Sequence, residues 1–477
     1  MEAAVLPRWR VFPALALGTV MAVLDISVVN IALPTLSRTF GVPLTSIEWV
    51  VLAYVLTISG LLLTMGRLAD LLGRRRVYGA GLTLFMAASA VCAAAPTANA
   101  LIAARALQGL GAAMMSANST ALLTAAFGAE ERGRALGAFG AMVGVGLALG
   151  PPLGGILVGH FSWRWIFLVN LPIGLFAQWQ LWTRVPRDPP GHRTSLSLPA
   201  AALWCGALVA LTFALSQGPQ RGWLDGRVGT AAALAIALFA LFVWDETRSA
   251  HPLLPLELLR GPLGVATTLT LVVNALSISV GFHLPLYLEE VLHFDAARSG
   301  RWMAVLPLLA LVLAPLAGRW SDRIGPRPLS VAGMLLAAAG FAVLSQVGTA
   351  PHPVHILGGM ALIGAGAGIF TVPNSSAAMG SVPPARLGLA SGLQATMRNL
   401  GIASGAAAMT AIVASRFAAH GGGTLAASVR GGATHPLAFA LATRDAYLVM
   451  AAVAVAAALV SLRQTAGTQG AAETGAR

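Results

Sequence analysis

The chain has no lysine at all; its thirty basic residues are all arginine. Charge of either sign is scarce, at 10% of 477 residues, where soluble domains carry about a quarter. Hydrophobic residues make up 57%, and the mean hydropathy is +0.78. No soluble fold of this length could cover so much apolar surface, so the composition reads as an integral membrane protein. The two cysteines, Cys92 and Cys205, lie inside apolar runs. That excludes a disulfide framework, and no CxxC or Cys/His spacing suggests a metal site. A serine–histidine–acid arrangement and a GxxxxGK[ST] phosphate loop are both missing. An ATP-driven pump built from this chain alone is thereby excluded, and neither an enzyme nor a cofactor is expected. The net charge of +13 does not indicate nucleic acid. The arginines are scattered between apolar runs, as the excess of positive charge in cytoplasmic loops produces.

What the chain has in quantity is apolar runs of roughly the 20 residues that cross a bilayer as helix. They do not alternate as barrel strands would. Fourteen spans are expected, at about 11–33, 47–66, 78–96, 100–126, 136–158, 165–183, 198–216, 229–244, 264–288, 302–318, 329–348, 355–378, 390–415 and 445–462. The first run exceeds the apolar core of a signal peptide and reads as a retained helix. With the N-terminus in the cytoplasm, loop arginines favour the cytoplasmic side roughly two to one. That bias supports an even span count and two cytoplasmic termini.

The chain also repeats itself. Gly66-Arg-Leu-Ala-Asp70-Leu-Leu-Gly73-Arg74-Arg75-Arg76 returns 252 residues later as Gly318-Arg-Trp-Ser-Asp322-Arg-Ile-Gly325-Pro-Arg327. Asn118-Ser-Thr-Ala returns as Asn374-Ser-Ser-Ala, and the frame of Gly137, Gly146 and Gly150 returns at Gly392, Gly401 and Gly405. The first six and last six spans are therefore related halves. The expected domains are a six-helix bundle over 1–183, a linker with two extra spans over 184–263, a second bundle over 264–463, and a cytoplasmic tail from 464 to 477. The glycine-rich stretch 416–444 reads as a flexible external loop.

Asp25 stands in the middle of the first span. A carboxylate there costs about 2.5–3.5 kcal/mol on insertion scales, so it needs a reason. One reason is a protonatable coupling site; the other is a structural tie to a neighbouring helix. Asn30 lies about 140° further round the helix and cannot squarely share a cavity with Asp25. It reads either as a helix–helix hydrogen bond or as part of a substrate pathway. Arg105 and Gln108 share a face near the start of span four; Arg105 keeps its charge at any pH and can tune a nearby acid, or it can snorkel to the interface. Gly146, Gly150 and Gly154, with Pro151 and Gly155 among them, form a small face that admits a close partner helix, with a bend expected at the proline. Asp70 can cap a neighbouring helix start, where the dipole favours negative charge. With Gly66, Gly73, Arg74 and Asp322, it makes up an expected conformational latch. Tyr54, Asn118, Asn274, His283, Asn374 and Arg398 are the other polar groups inside spans. All of these but Arg398 join Asn30 and Gln108 as candidates for the substrate pathway.

These motifs together resemble the major facilitator superfamily, specifically its fourteen-helix drug:proton antiporter family. Gly66 to Arg76 looks like the superfamily's signature loop, and Leu101 to Ala113 like a helix-four motif whose arginine is implicated in proton transfer. Gly137 to Gly155 is similar to the antiporter motif of exporters. Leu24-Asp25-Ile-Ser-Val-Val-Asn30-Ile-Ala-Leu-Pro34 and Trp163-Arg-Trp-Ile-Phe-Leu-Val-Asn170-Leu-Pro172 look typical of the fourteen-helix branch. Leu71 stands where the signature often has arginine, and Ser27 where threonine is usual. The resemblance implies an all-α membrane fold of two six-helix bundles plus two inserted helices. It implies a monomeric antiporter in a bacterial cytoplasmic membrane that exports small amphipathic drugs, antibiotics or metabolites. Asp25 and Arg105 would be its proton-coupling pair and the proton gradient its only energy source. The alternatives are a facilitated uptake permease and a non-transporting membrane subunit.

Overall fold

A backbone in hydrocarbon must satisfy its own polar groups, which favours helix over every apolar run. The computed structural model describes residues 8–127, 131–186, 197–249, 252–349, 352–423 and 435–464, and every regular element among them is helical. The longer helices, in chain order, are α1 (Phe12–Phe40), α2 (Trp49–Leu72), α3 (Arg74–Ala94), α4 (Ala98–Ala126), α5 (Arg132–His160), α6 (Asn170–Arg184) and α7 (Leu198–Arg221). They continue with α8 (Gly226–Arg248), α9 (Pro262–Glu290), α10 (Val305–Ile324), α11 (Pro326–Leu344), α12 (Pro353–Gly380), α13 (Leu387–Ala419) and α14 (Pro436–Ser461). Twelve helices among the described residues are long and apolar enough to cross a membrane. The expected spans at 136–158 and 165–183 are helical but are not among those twelve. The second of them is divided into Trp165–Leu168 and the fifteen-residue α6. The stretch 424–434 of the expected glycine-rich loop and the tail from 465 onward lie outside the described residues.

The chain forms two compact units. The first comprises Met1–Phe213, Thr230–Glu257 and Val382–Thr396; the second comprises Ala214–Gly229, Leu258–Ser381 and Met397–Arg477. In the first, α4 packs on α2 and α3; in the second, α12 packs in the same way on α10 and α11. Glycine allows both close approaches. A Cβ on Gly81 of α3 would come 2.9 Å from the carbonyl oxygen of Gly111 of α4. At the corresponding place, a Cβ on Gly333 of α11 would come 2.7 Å from that of Gly366 of α12. The helix pairs are thus repeated down to single backbone contacts.

The connection expected between the spans 47–66 and 78–96 is shorter than it reads. Gly66 and Asp70 lie inside α2, which runs to Leu72, and Gly73 alone separates it from α3. Gly73 has φ +99°, and its repeat equivalent Gly325 has φ +83°. Backbone there is open to glycine and strained for other residues. One such residue turns the chain between two helices, so no longer loop is needed.

Candidate functional site

Asp25 is the fourteenth residue of the 29-residue α1 and is wholly buried. Its carboxylate is held by three side chains from two other helices. Arg105 of α4 donates from Nη1 to Oδ2 at 2.5 Å. Gln108, one turn on, donates from Nε2 to Oδ1 at 2.9 Å, and Asn170 at the start of α6 donates from Nδ2 to the same oxygen at 3.0 Å. Ser89 of α3 accepts from Gln108 at 2.8 Å and from Asn170 at 3.3 Å, which ties the two amides together. Arg105 is fully buried and donates further from Nε to the Val50 carbonyl at 3.0 Å and from Nη1 to Gln108 Oε1 at 2.6 Å. Its guanidinium carbon lies 4.1 Å from the centre of the Tyr54 ring of α2, a cation–π contact. Arg105 therefore does not snorkel to the interface. Buried charges persist when paired and hydrogen-bonded, and this carboxylate meets a guanidinium and two amides.

A second cluster lies at the end of α2. Both carboxylate oxygens of Asp70 accept backbone N–H groups at the start of α13, from Gly388 at 2.9 Å and Leu389 at 2.8 Å. Arg74 pairs with the same carboxylate at 2.8 Å and donates to the Pro384 carbonyl. The expected cap is thus present, on residues 388 and 389 of the first compact unit, and it opposes a negative charge to the positive end of the helix dipole. Gly66 makes room for it, since its Cβ would lie 3.0 Å from the carbonyl carbon of Gly388. Asp322, in the repeat, lies part-buried near the end of α10.

The glycines of α5 lie against α1. A Cβ on Gly146 would meet Val20, on Gly150 Ser27 and on Gly154 Val28. Gly155 has nothing within 4 Å and takes no part in this contact. The helix runs unbroken through position 151. In the second unit Gly401 and Gly405 of α13 lie in the same way against Leu271 and Ala275 of α9.

Comparison with known proteins decides the family. The description "Major Facilitator Superfamily" matches residues 15–406 and, in a second alignment, 268–473. The chain belongs to the Major Facilitator Superfamily. Members are transporters rather than enzymes, and this one is a multi-pass membrane protein. It is 36% identical over 404 residues to the methylenomycin A resistance protein of Streptomyces coelicolor, covering 84% of each chain. It is 34% identical to the puromycin resistance protein pur8 of Streptomyces alboniger, over 98% of this chain and 93% of that one. It is 31% identical to the riboflavin transporter RibZ of Clostridioides difficile, over 84% of this chain and 87% of that one. Among solved structures, the proton:xylose symporter XylE matches with a TM-score of 0.64, over 95% of this chain and 94% of that one. At 16% identity that likeness shows the fold alone.

In this major facilitator most of the polar residues expected along a substrate path are occupied by neighbouring helices. Tyr54 and Gln108 are buried around Arg105. Asn118 is buried and donates to the Met114 carbonyl of its own helix at 2.7 Å. Asn374 donates to the Ala266 carbonyl and to Thr270, each at 2.9 Å, and accepts from Gln464 at 2.6 Å. His283 shares a 2.9 Å hydrogen bond with Thr443 and stacks on Phe439. Asn274 is part-buried and donates to the Thr270 carbonyl. Asn30 is exposed on α1 and lies apart from the Asp25 cluster, as its angular offset requires. Sequence reasoning missed Ser89 and the role of Asn170. The only signal for Asn170 was its place in the Trp163 to Pro172 motif.

Proposed function

We propose that the protein is a proton-coupled secondary antiporter of the fourteen-helix drug:proton branch, exporting small amphipathic drugs, antibiotics or metabolites by alternating access. The observation that carries this reading is the buried pair Asp25–Arg105 with its two amide donors. With Asp25 ionised, the guanidinium is neutralised where it lies. With Asp25 protonated, Arg105 is left as an uncompensated buried charge, which costs several kcal/mol after relaxation. The two protonation states therefore favour different environments for the pair, and a differential of that size can bias a two-state element. Asp25 takes up its proton from the outer face and releases it inside, with Arg105 holding the ionised form. The Asp70 cap on α13 is the latch that one conformation keeps and the other gives up. The full reading places six helices in each bundle, with α7 and α8 inserted between them. The chain works as a monomer in a bacterial cytoplasmic membrane with both termini inside, and it uses no cofactor. The resistance names of two relatives support export of this kind.

Proteoliposomes with an imposed pH difference provide the test. Asp25→Asn should abolish gradient-driven export and leave the protein folded. Export at the wild-type rate and with the wild-type pH dependence would refute the role of Asp25. A second reading, uptake of a metabolite, draws on the relative named a riboflavin transporter. Inverted vesicles separate the two: an exporter accumulates cargo in them, and an uptake permease does not.

A further inference from the structure

Thirty arginines punctuate this chain, and only Arg105 and Arg398 lie inside expected spans. Arg105 has its acid. Arg398 has none: among the described residues no hydrogen bond, ion pair or aromatic ring meets its side chain, while Asp25 is committed to Arg105 and Asp445 to His420. Arg398 is the twelfth residue of α13, about 17 Å along the axis from the helix start. That start is the one Asp70 caps from the last turn of α2. With 33 residues α13 is about 50 Å long, and Arg398 lies well inside its membrane-crossing length rather than at either end. Its side chain is nevertheless exposed. Charged residues at this depth face water or a partner rather than lipid. An exposed, unpaired guanidinium inside a membrane-crossing helix is a fork of donors matched to a planar oxyanion.

We propose that Arg398 binds an anionic group, a carboxylate or comparable oxyanion, on the amphipathic compound that this transporter carries. The inference rests on the reading of the chain as a transporter and narrows its cargo class. Cargo binding then supplies the missing counter-charge.

Purified full-length protein in detergent, titrated calorimetrically with 2-naphthoate and with its neutral counterpart 2-naphthamide, tests this. The wild type should bind the anion about tenfold more tightly or better, since hydrogen bonds to charged groups are worth about 1.5–3 kcal/mol. Arg398→Gln should remove the preference, and Arg398→Lys, which keeps the charge without the fork, should retain part of it. Equal affinities in the wild type, no saturable naphthoate binding, or a preference that survives Arg398→Gln would each overturn the proposal. No gradient is applied, so the outcome is independent of proton coupling. Unchanged flux in Asp25→Asn would sink the antiport reading and leave the anion preference standing.

Discussion

A carboxylate and a guanidinium buried together are each tolerable because of the other. Removing one partner leaves a bare charge, which costs about 3–5 kcal/mol. Arg105→Gln should therefore destabilise the purified protein by that order. Adding Asp25→Asn to the same chain should restore much of the loss, which thermal unfolding of both variants would measure. An unrecovered double variant would mean that Arg105 contributes through packing on Tyr54 instead. Asn170 has a different part in the cluster, since it steadies the ionised carboxylate without carrying charge. Asn170→Leu should cost about 1.5–3 kcal/mol, the range for a hydrogen bond to a charged group, and should displace the pH profile of transport. Asn170→Ser, which keeps a donor, should recover part of both, whereas an unmoved pH profile would make Asn170 merely structural. Asp25 and Arg105 are legible in the sequence because charge in hydrocarbon is rare enough to demand a partner. Asn170 and Ser89 are not, because small amides and hydroxyls are common in helices. Their contribution depends on helix rotation, which a string of residues does not display.

At the level of elements, close approach carries the architecture, and it discriminates between neighbouring glycines. Gly150 lies against Ser27 of α1, so a side chain there would collide with the Ser27 Cβ as well as its hydroxyl. Gly155 faces open space. Gly150→Val should thus destabilise by about 1–3 kcal/mol, as overpacking does. Gly155→Val should stay within about 0.5 kcal/mol of the wild type. The melting temperatures of the two purified variants decide the matter, and equal losses would mean that the α1–α5 contact is not made as described. The sequence showed these glycines as one small-residue motif, because spacing identifies a face but not which residues on it are covered. The connection between the spans 47–66 and 78–96 was misjudged for a related reason. Polar residues suggested a loop, but Asp70 and Arg74 satisfy each other at helical spacing, so the helices continue to either side of Gly73.

Over the whole molecule, the repeat preserves packing and discards charge. Gly81 and Gly111 return as Gly333 and Gly366, and the contact of α5 with α1 returns in that of α13 with α9. Following the same correspondence, Arg105 becomes Met360 and Asp25 becomes Leu276, both buried and apolar. The related fold is held by backbone approach, which needs only small residues, so the second copy is free to lose the ion pair without losing its helices. The first unit thus carries both the frame and the ion pair, and the second carries the frame alone, since Leu276 and Met360 bear no ionisable group.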